Sequence, residues 1–419
     1  INTYPENEGN DQVQFLIARV ALERNDPDAA INGFNKIRAI NPSSPYLREA
    51  VYYLGIAHAM KNEYIQAVEL LNRYASSPGV EKRYDALVRL LELYIGASDV
   101  KSAERTAQTL QSAYTRQAGV EVVLYNFALE LGRRGGNNTR YLQFIVGNYP
   151  RSESAGRILF SWAGESFKAG DFIRAEQFYR QYLSVPGREM AADALLSRVE
   201  CLFRLKRFRE IIALGTDESK PELDERRSRI MAIHLGRAYF MDRNPEMAYR
   251  TLAAVPVQTL EDGDRLILAR GALKVGDIWT AQAIPALLPA GSEAYAEALY
   301  VLGMHYFAEG REEVAFDYFS KLIVECPASQ IIDDARIEMA EIYGNDRRYG
   351  EALAILDKIR TPKHADRVMI LRITALFRTG KIEKAIEMTN SGIRTILRYP
   401  AGETVVKEAL FYYHLKGDL

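Results

Sequence analysis

Residues 293–327 read EAYAEALYVLGMHYFAEGREEVAFDYFSKLIVECP, and this stretch decides the fold. Apolar side chains recur at helical spacing on both sides of Gly310, which predicts two amphipathic helices joined by a tight turn. Glycine accepts the left-handed backbone conformation with which many helices end. Pro327 predicts the end of the second helix, because proline lacks the amide hydrogen that a helix interior needs. The stretch therefore predicts a helical hairpin of about 35 residues.

The hairpin belongs to a series that runs along the chain. A small residue early in each second helix returns at intervals of 33 to 37 residues, at Ala30, Ala67, Ala103, Ala175, Ala248, Ala281, Ala315, Ala352 and Ala385. Arg140 and Ile211 occupy two weaker copies and complete the series. A fixed period of this length indicates stacked repeats. The predicted fold is all-α, an α-solenoid of about eleven helical hairpins followed by a C-terminal half repeat.

Irregular copies divide the series into candidate domains. The predicted domains are residues 11–215, with repeats one to six, and residues 222–399, with repeats seven to eleven. Pro285 falls inside the second helix of the eighth repeat, where it should kink or end that helix. Residues 401–419 are expected to be a half repeat or a capping helix, with Val406, Ala409, Leu410 and Tyr413 on one apolar face. We expect the natural chain to continue, because a poor polar cap is made by Leu410, Phe411, Tyr412 and Tyr413.

The composition excludes several classes of function. The net charge is −1, from 54 basic and 55 acidic residues, so no strong field recruits nucleic acid or an anionic membrane. No apolar run has the length of a membrane span. Cys201 and Cys326 lie more than three repeats apart, and we expect two buried thiols. A chain that begins at Ile1 is expected to have lost an upstream segment, whether a signal peptide, a lipoprotein leader or an expression tag.

No motif for catalysis stands out. The sequence contains no phosphate-binding glycine loop, dinucleotide fingerprint or nucleophile elbow. The five histidines are scattered singly, without the spacing of metal ligands. We therefore expect a protein that is not an enzyme and needs no metal or cofactor. The basic group of residues 204–209 has two interpretations, a phosphate or nucleic-acid contact and a solvated turn neutralised by Glu200 and Glu210, of which the second is preferred.

The repeat resembles the tetratricopeptide repeat. That family combines an aliphatic and a small residue with an aromatic in the first helix, and an alanine, an aromatic and a closing proline in the second. Matching residues are Leu302, Gly303, Tyr306, Ala315, Phe319, Leu322 and Pro327, then Leu235, Gly236, Tyr239, Ala248 and Leu252, and Leu54, Gly55, Tyr64, Ala67 and Leu71. The resemblance covers almost the whole chain. It implies a right-handed superhelix whose first helices line a concave groove that binds partner proteins.

The resemblance also implies which side chains face that groove. They lie three residues before, one after and four after the small residue of each first helix, and form an aromatic wall with mixed charge. The predicted partner-binding residues are Tyr52, Tyr125, Phe160, Phe167, Phe203, Arg237, Phe240, Arg270, Tyr300, Met304, Phe307 and Phe377. The lysine and asparagine pair with which some family members clamp a peptide carboxylate is not found in phase. An extended or helical apolar peptide therefore fits these walls better than a C-terminal carboxylate.

A looser resemblance concerns the cell compartment. Several repeats begin with proline and serine before the helix, as in residues 41–46, 149–152 and 326–329. This is similar to periplasmic tetratricopeptide lipoproteins of outer-membrane assembly or of the Tol–Pal system. The expected function is a non-enzymatic scaffold in a bacterial cell-envelope assembly, with a cytoplasmic location as the alternative. Anchoring by an N-terminal lipid outside this chain and self-association are left open.

Two other functions remain as alternatives. The chain could be an accessory lipoprotein that holds a small or lipidic molecule in the aromatic groove. It could also be the repeat region of a larger protein with a separate C-terminal domain. Nucleic-acid binding is not expected, because no basic stripe follows the repeat.

Overall fold

The computed structural model describes residues 10–398 and 400–416, and within those ranges all regular structure is helical. The all-α prediction is confirmed. The α-helices are α1 (Asn10–Glu23), α2 (Pro27–Ile40), α3 (Leu47–Met60), α4 (Tyr64–Ser76), α5 (Arg83–Gly96), α6 (Val100–Ala113), α7 (Val120–Arg133), α8 (Thr139–Asn148), α9 (Glu153–Lys168), α10 (Phe172–Leu183), α11 (Ala191–Arg204), α12 (Phe208–Thr216), α13 (Glu225–Met241), α14 (Pro245–Leu252), α15 (Asp262–Val275), α16 (Ile278–Ala283), α17 (Glu293–Ala308), α18 (Glu312–Glu325), α19 (Ile332–Asn345), α20 (Tyr349–Leu356), α21 (Ala365–Arg378), α22 (Ile382–Ile396) and α23 (Pro400–Lys416). Short 3₁₀ helices occupy Val257–Thr259, Pro285–Leu287 and Pro362–His364.

The chain forms two compact units, Ile1–Arg198 and Val199–Leu419, whose division falls inside α11. In the first unit, successive helices pack as hairpins, and α3 also contacts the first helices of its neighbours, α1 and α5. In the second unit, α15 contacts α13 and α17 in the same way. This stacking of hairpins is that of an α-solenoid. The predicted domains, residues 11–215 and 222–399, have different bounds from these units. They group the repeats of the series and remain a prediction.

Each hairpin turns at one residue with a left-handed backbone. These residues are Asn25, Asn62, Ser98, Gly135, Gly170, Lys206, Arg243, Gly276, Gly310, Arg347 and Gly380. Every one lies five residues before a member of the small-residue series, so the eleven-repeat register is confirmed, including the weak copies. The next amide donates to the carbonyl five residues back, for example from Arg311 to Tyr306 at 2.9 Å, which satisfies the last carbonyls of the first helix.

The residue after the turn often caps the second helix. The caps are aspartate or asparagine, whose side-chain oxygen accepts the amide hydrogen three residues on at 3.0–3.1 Å, at Asp26, Asp99, Asp171, Asn244 and Asp277. These residues satisfy amides that the helix itself leaves without partners. The local sequence thus stops one helix and starts the next within three residues.

Small residues on the first helices make room for a large side chain. A Cβ placed on Gly303 would lie 2.5 Å from the Phe319 ring, and one on Gly236 would lie 2.5 Å from Leu252. A Cβ on Gly55 would meet Leu71 at 2.7 Å in the same way. The side chain nearest to Gly303 is thus that of Phe319, one helical turn beyond Ala315 on the second helix. Each glycine therefore seats an aromatic or aliphatic side chain.

Arg140 does not act as a small residue. Helix α8 begins at Thr139, four residues after the turn residue Gly135, whereas the other second helices begin two residues after theirs. The late start turns Tyr141 into the core, where it is buried, and leaves Arg140 exposed above its ring at 4.5 Å. The fourth hairpin thus keeps the register of the series with a different core residue.

Two other irregular copies have short second helices. Helix α16 ends at Ala283 and a 3₁₀ turn follows at Pro285, as expected of proline. Helix α12 is short and ends at Thr216. Both cysteines are buried, as expected.

The last helix differs in part from its expected face. Val405 and Ala409 are buried, whereas Leu410 is 50% exposed. The core side of α23 is therefore rotated by one residue from the predicted side at Val406. The side chain of Tyr413 and residues 417–419 lie outside the described part of the chain.

Candidate functional site: the first-helix faces

All predicted groove residues lie on first helices, but two of them are core residues. Tyr52 on α3 is 8% exposed and packs against Tyr74, with ring centroids 5.3 Å apart. Burial raises the pKa of Tyr52 to about 12. Phe377 on α21 is 3% exposed and stacks on Tyr412 at 5.4 Å. Neither side chain offers a surface to a partner, so both are withdrawn from the candidate site.

In the second unit, the predicted arginines bridge successive first helices. Arg237 on α13 donates to Asp264 of α15 at 2.6 Å and to Glu261 at 2.7 Å. Asp264 is 1% exposed, and its hydrogen bond raises the pKa of Arg237. Arg270 on α15 donates to Glu297 of α17 at 3.1 Å. These arginines are therefore neutralised by their neighbours and are not free to clamp an anionic ligand.

The aromatic members of this surface lie among the ion pairs. The guanidinium of Arg270 lies 6.0 Å from the ring centroid of Phe240, a distance at which a cation is attracted to an aromatic face. Met304 and Phe307 on α17 are partly buried and pack against the core of the second unit. The rest of each side chain is exposed.

Tyr300 belongs to a partly buried polar cluster. Its hydroxyl donates to Glu338 of α19 at 3.4 Å, and burial raises its pKa. Glu338 also accepts two hydrogen bonds, each 2.8 Å long, from Arg367 of α21. Arg367 pairs with Glu341 as well, and the bonds to Glu338 raise the pKa of the guanidinium. The hydroxyl of Tyr300 is therefore bonded within the protein, and the side chain is only partly exposed.

At the start of the second unit, Phe203 lies beside a partly buried histidine. The ring of His234 is 6.1 Å from that of Phe203, and its Nε2 is 3.8 Å from a carboxylate oxygen of Glu200. Its Nδ1 atom is buried with no hydrogen-bond partner in the described part of the chain. Burial lowers the pKa of His234.

The neighbouring basic turn is neutralised by glutamates. Arg204 pairs with Glu200 at 2.7 Å, and Arg207 pairs with Glu210 at 2.5 Å.

In the first unit, two predicted residues line one cleft. Tyr125 on α7 and Phe160 on α9 border a cavity of about 320 Å³. Phe160 lies 5.2 Å from Tyr182 of α10, which also lines the cavity. Phe167, at the far end of α9, packs against Phe172 at 5.4 Å and takes no part in the cleft.

Sequence reasoning missed the charged and histidine partners of these side chains. Asp264, Glu338, Arg367 and His234 lie on first helices but outside the three positions that the family resemblance selects. A usable signal was present, because the bonded pairs combine opposite charges 27 to 29 residues apart. That distance is shorter than a repeat, since a side chain reaches from the middle of one first helix to the beginning of the next.

The described part of the chain offers little for other chemistry. Within residues 10–398 and 400–416, no three histidine, cysteine or carboxylate side chains are grouped so that they could hold a metal ion. None of the helices described there is long and apolar enough to cross a bilayer.

Comparison with known proteins points to the repeat type. Residues 15–81 match the profile of the tetratricopeptide repeat family. No curated protein matches the chain significantly. Among solved structures, a tetratricopeptide repeat protein from Parabacteroides merdae is 14% identical, with a TM-score of 0.33 over 62% of this chain and 97% of its own.

Two further solved structures are similar at the same level. The P58(IPK) TPR domain is 12% identical, with a TM-score of 0.35 over 97% of this chain and 99% of its own. The TPR2AB domain of yeast Sti1, in a complex with pHSP90, is 16% identical, with a TM-score of 0.30 over 70% and 99%. Scores and identities this low indicate no function. The profile match and the hairpin register support a fold of tetratricopeptide-repeat type.

Proposed function

From its tetratricopeptide-type repeats, we propose that this protein is a non-enzymatic scaffold whose second unit binds a partner protein. Proteins of this repeat type generally mediate protein–protein interaction. The observation that carries the proposal is a set of partly exposed apolar side chains on the first helices α11, α13 and α17, called here the apolar row: Phe203, Phe240, Tyr300, Met304 and Phe307. Rigid aromatic side chains of this kind dominate the binding energy of many interfaces.

The charges around the apolar row favour an apolar partner segment. Arg237 and Arg270 already bond to carboxylates of neighbouring helices. A phosphate or carboxylate ligand would have to displace those partners, which costs the energy of the existing pairs. An extended or helical segment with apolar anchors meets the aromatic side chains without disturbing them.

A crosslinking pull-down with matched variants tests the scaffold. The test variant carries Phe240→Ser and Phe307→Ser, and the control carries Val324→Ser, which removes an apolar side chain that is 76% exposed on the second helix α18. We expect the wild type and the control to capture the same protein. Capture by the double variant should fall by about tenfold or more, as for the loss of interface anchors.

Two results would contradict the scaffold. Either the double variant captures the same proteins as the wild type, or the wild type captures none from extracts of its own cells. Thermal unfolding of all three proteins is measured alongside, so that only variants of matched stability are compared.

We also propose a location in the bacterial cell envelope. The repeat starts with proline and serine support it, as in residues 41–46, 149–152 and 326–329. The same pull-down, carried out separately on envelope and cytosolic extracts, tests the location. Capture of the partner from the cytosolic extract alone would reverse the assignment.

The cleft beside Phe160 favours a second candidate, an accessory protein that carries a small or lipidic molecule. Its volume of about 320 Å³ lies at the lower end of ligand pockets. Native mass spectrometry of the chain purified from its own host tests this candidate. A co-purified molecule that is lost in Phe160→Ser would support it, and a protein of the calculated mass alone would reject it.

A further inference from the structure

The first unit contains two clefts of the same construction. Residues 76–81 read SSPGVE and residues 184–189 read SVPGRE, 108 residues or three repeats later. Both segments connect a second helix to the next first helix, α4 to α5 and α10 to α11. Their glycines, Gly79 and Gly187, both adopt the left-handed backbone, with φ of 67° and 65°.

A tyrosine at the corresponding position anchors each loop. Tyr74 accepts the backbone amide hydrogen of Lys82 at 3.2 Å, and Tyr182, 108 residues later, accepts that of Met190 at 3.0 Å. The aromatic neighbours also correspond, because Tyr52 lies 5.3 Å from Tyr74 and Phe160 lies 5.2 Å from Tyr182. A shared sequence has thus produced a shared geometry at two places in one unit.

Each loop borders a cavity. The Gly79 cleft, with a volume of about 710 Å³, is lined by Tyr46, Arg48, Glu49, Tyr74, Gly79 and Glu81, among others. The Gly187 cleft, with a volume of about 320 Å³, is lined by Tyr125, Phe160, Tyr182, Val185, Gly187 and Glu189, among others. Both clefts combine aromatic and apolar walls with a glutamate two residues after the glycine.

The arginines of the clefts are engaged with the protein itself. Arg157 pairs with Glu153 at 2.6 Å, and Arg188 donates to the carbonyl oxygens of Leu183 and Val185. In the Gly79 cleft, Arg48 donates to the carbonyl oxygen of Pro78 at 3.5 Å.

The carboxylates that remain are Glu81 and Glu49 in the Gly79 cleft and Glu189 in the Gly187 cleft. Glu81 and Glu189 are exposed, and within the described part of the chain neither has an ion-pair partner. A carboxylate at the mouth of an apolar and aromatic cleft suits a cation on a long aliphatic stem. The stem of arginine or lysine covers apolar surface while its charged end stays near water, and the cation is attracted to aromatic rings.

We infer that the Gly79 and Gly187 clefts each bind an arginine or lysine side chain of a partner protein. The first unit then recognises a partner segment with two basic residues, one at each cleft. This inference rests on the proposed scaffold function and adds the chemistry of the partner. It concerns a different unit from the apolar row, so the two proposals can fail separately.

The test uses Nα-acetyl-arginine methylamide as the probe and NMR of the full chain with ¹³C-labelled tyrosine rings. We expect saturable shifts of the Tyr74 and Tyr182 signals, and none with the norleucine analogue, which has an apolar stem but no charge. In Glu189→Gln the probe should bind the Gly187 cleft about fivefold more weakly, the upper range for an exposed charge contact. Its affinity for the Gly79 cleft should not change, and Glu81→Gln should show the reverse.

Three outcomes would overturn the inference. They are no shift of either tyrosine at the highest probe concentration, equal shifts with norleucine, or stronger shifts with the acetyl-aspartate analogue. The second would indicate a site for apolar molecules, and the third a site for anions. Because both glutamates are exposed, the variants should fold normally, which circular dichroism verifies. None of these results changes the outcome expected of the pull-down, which tests the apolar row of the second unit.

Discussion

Gly303 determines how closely α17 and α18 approach each other. An added methyl group would lie 2.5 Å from the ring of Phe319, which is fully buried. We expect Gly303→Ala to lower the free energy of unfolding by about 1–3 kcal/mol through overpacking. Urea unfolding measures the change.

Gly344 provides the control for this prediction. It lies in α19 of the same unit, and a Cβ placed there would have no neighbour within 4 Å. Gly344→Ala should leave the stability unchanged or raise it by up to about 1 kcal/mol, because alanine is the better helix former. Equal effects of the two substitutions would mean that packing at Gly303 does not limit the contact.

His234 should make the stability depend on pH. Burial lowers its pKa in the folded protein, so the unfolded chain binds the proton more readily, with a pKa near 6.5. The neutral form therefore stabilises the fold fully above that pH, and the stabilisation decreases as the pH falls below it. Between about pH 7.5 and 5.5, the free energy of unfolding should fall more steeply in the wild type than in His234→Gln. Parallel curves for the two proteins would exclude this role of His234.

At the scale of elements, the short helix α16 depends on its cap. Asp277 accepts hydrogen bonds from the amide of Thr280 at 3.1 Å, from the Thr280 hydroxyl at 2.5 Å and from the Tyr249 hydroxyl at 2.5 Å. These bonds, led by that of the Thr280 side chain, lower the pKa of Asp277. Asp277→Ala should cost about 2 kcal/mol of stability, because it removes a cap and leaves two hydroxyls without their partner.

The cap of α14 is the matched comparison. Asn244 caps that helix with a single bond to the amide of Met247, at 3.1 Å. Asn244→Ala should cost about 1 kcal/mol, as for an ordinary cap. Chemical denaturation of both variants near neutral pH measures the difference. A larger loss for Asn244→Ala than for Asp277→Ala would contradict the importance of the tyrosine and threonine bonds.

The elements were predictable because their signals are local. The turn residue, the cap and the alanine five residues after the turn lie within one stretch of chain, so their spacing appears directly in the sequence. Pro285 ends its helix for an equally local reason. The start of α8 was not predictable, since the loop at Gly135 lengthens by two residues and brings Tyr141 into the core in place of Arg140.

The candidate site was less predictable because it depends on contacts between elements. The family pattern placed Tyr52 and Phe377 on the groove, yet both are enclosed by aromatic neighbours on adjacent helices. It selected Arg237 but not Asp264, the acid that neutralises it. A pattern on one helix does not specify which residue of the next helix comes within hydrogen-bonding distance.

For the whole molecule, the two compact units predict local responses to mutation. Repeats contact their neighbours, so destabilisation should spread within a unit and weaken with distance. Gly303→Ala should reduce amide hydrogen-exchange protection within residues 199–398 and leave residues 10–198 largely protected. Gly55→Ala, whose new methyl would meet Leu71 at 2.7 Å, should do the reverse. Equal loss of protection in both units for either variant would indicate that the chain unfolds as one cooperative body.

The hairpin turns also leave room for engineering. Six of the eleven left-handed turn positions hold a residue other than glycine, at Asn25, Asn62, Ser98, Lys206, Arg243 and Arg347. A side chain in this conformation costs roughly 1–2 kcal/mol that glycine avoids, and asparagine avoids in part. The protein therefore folds below the stability its architecture allows. Substitutions confined to these turns should therefore raise heat resistance while leaving the apolar row and both clefts unchanged.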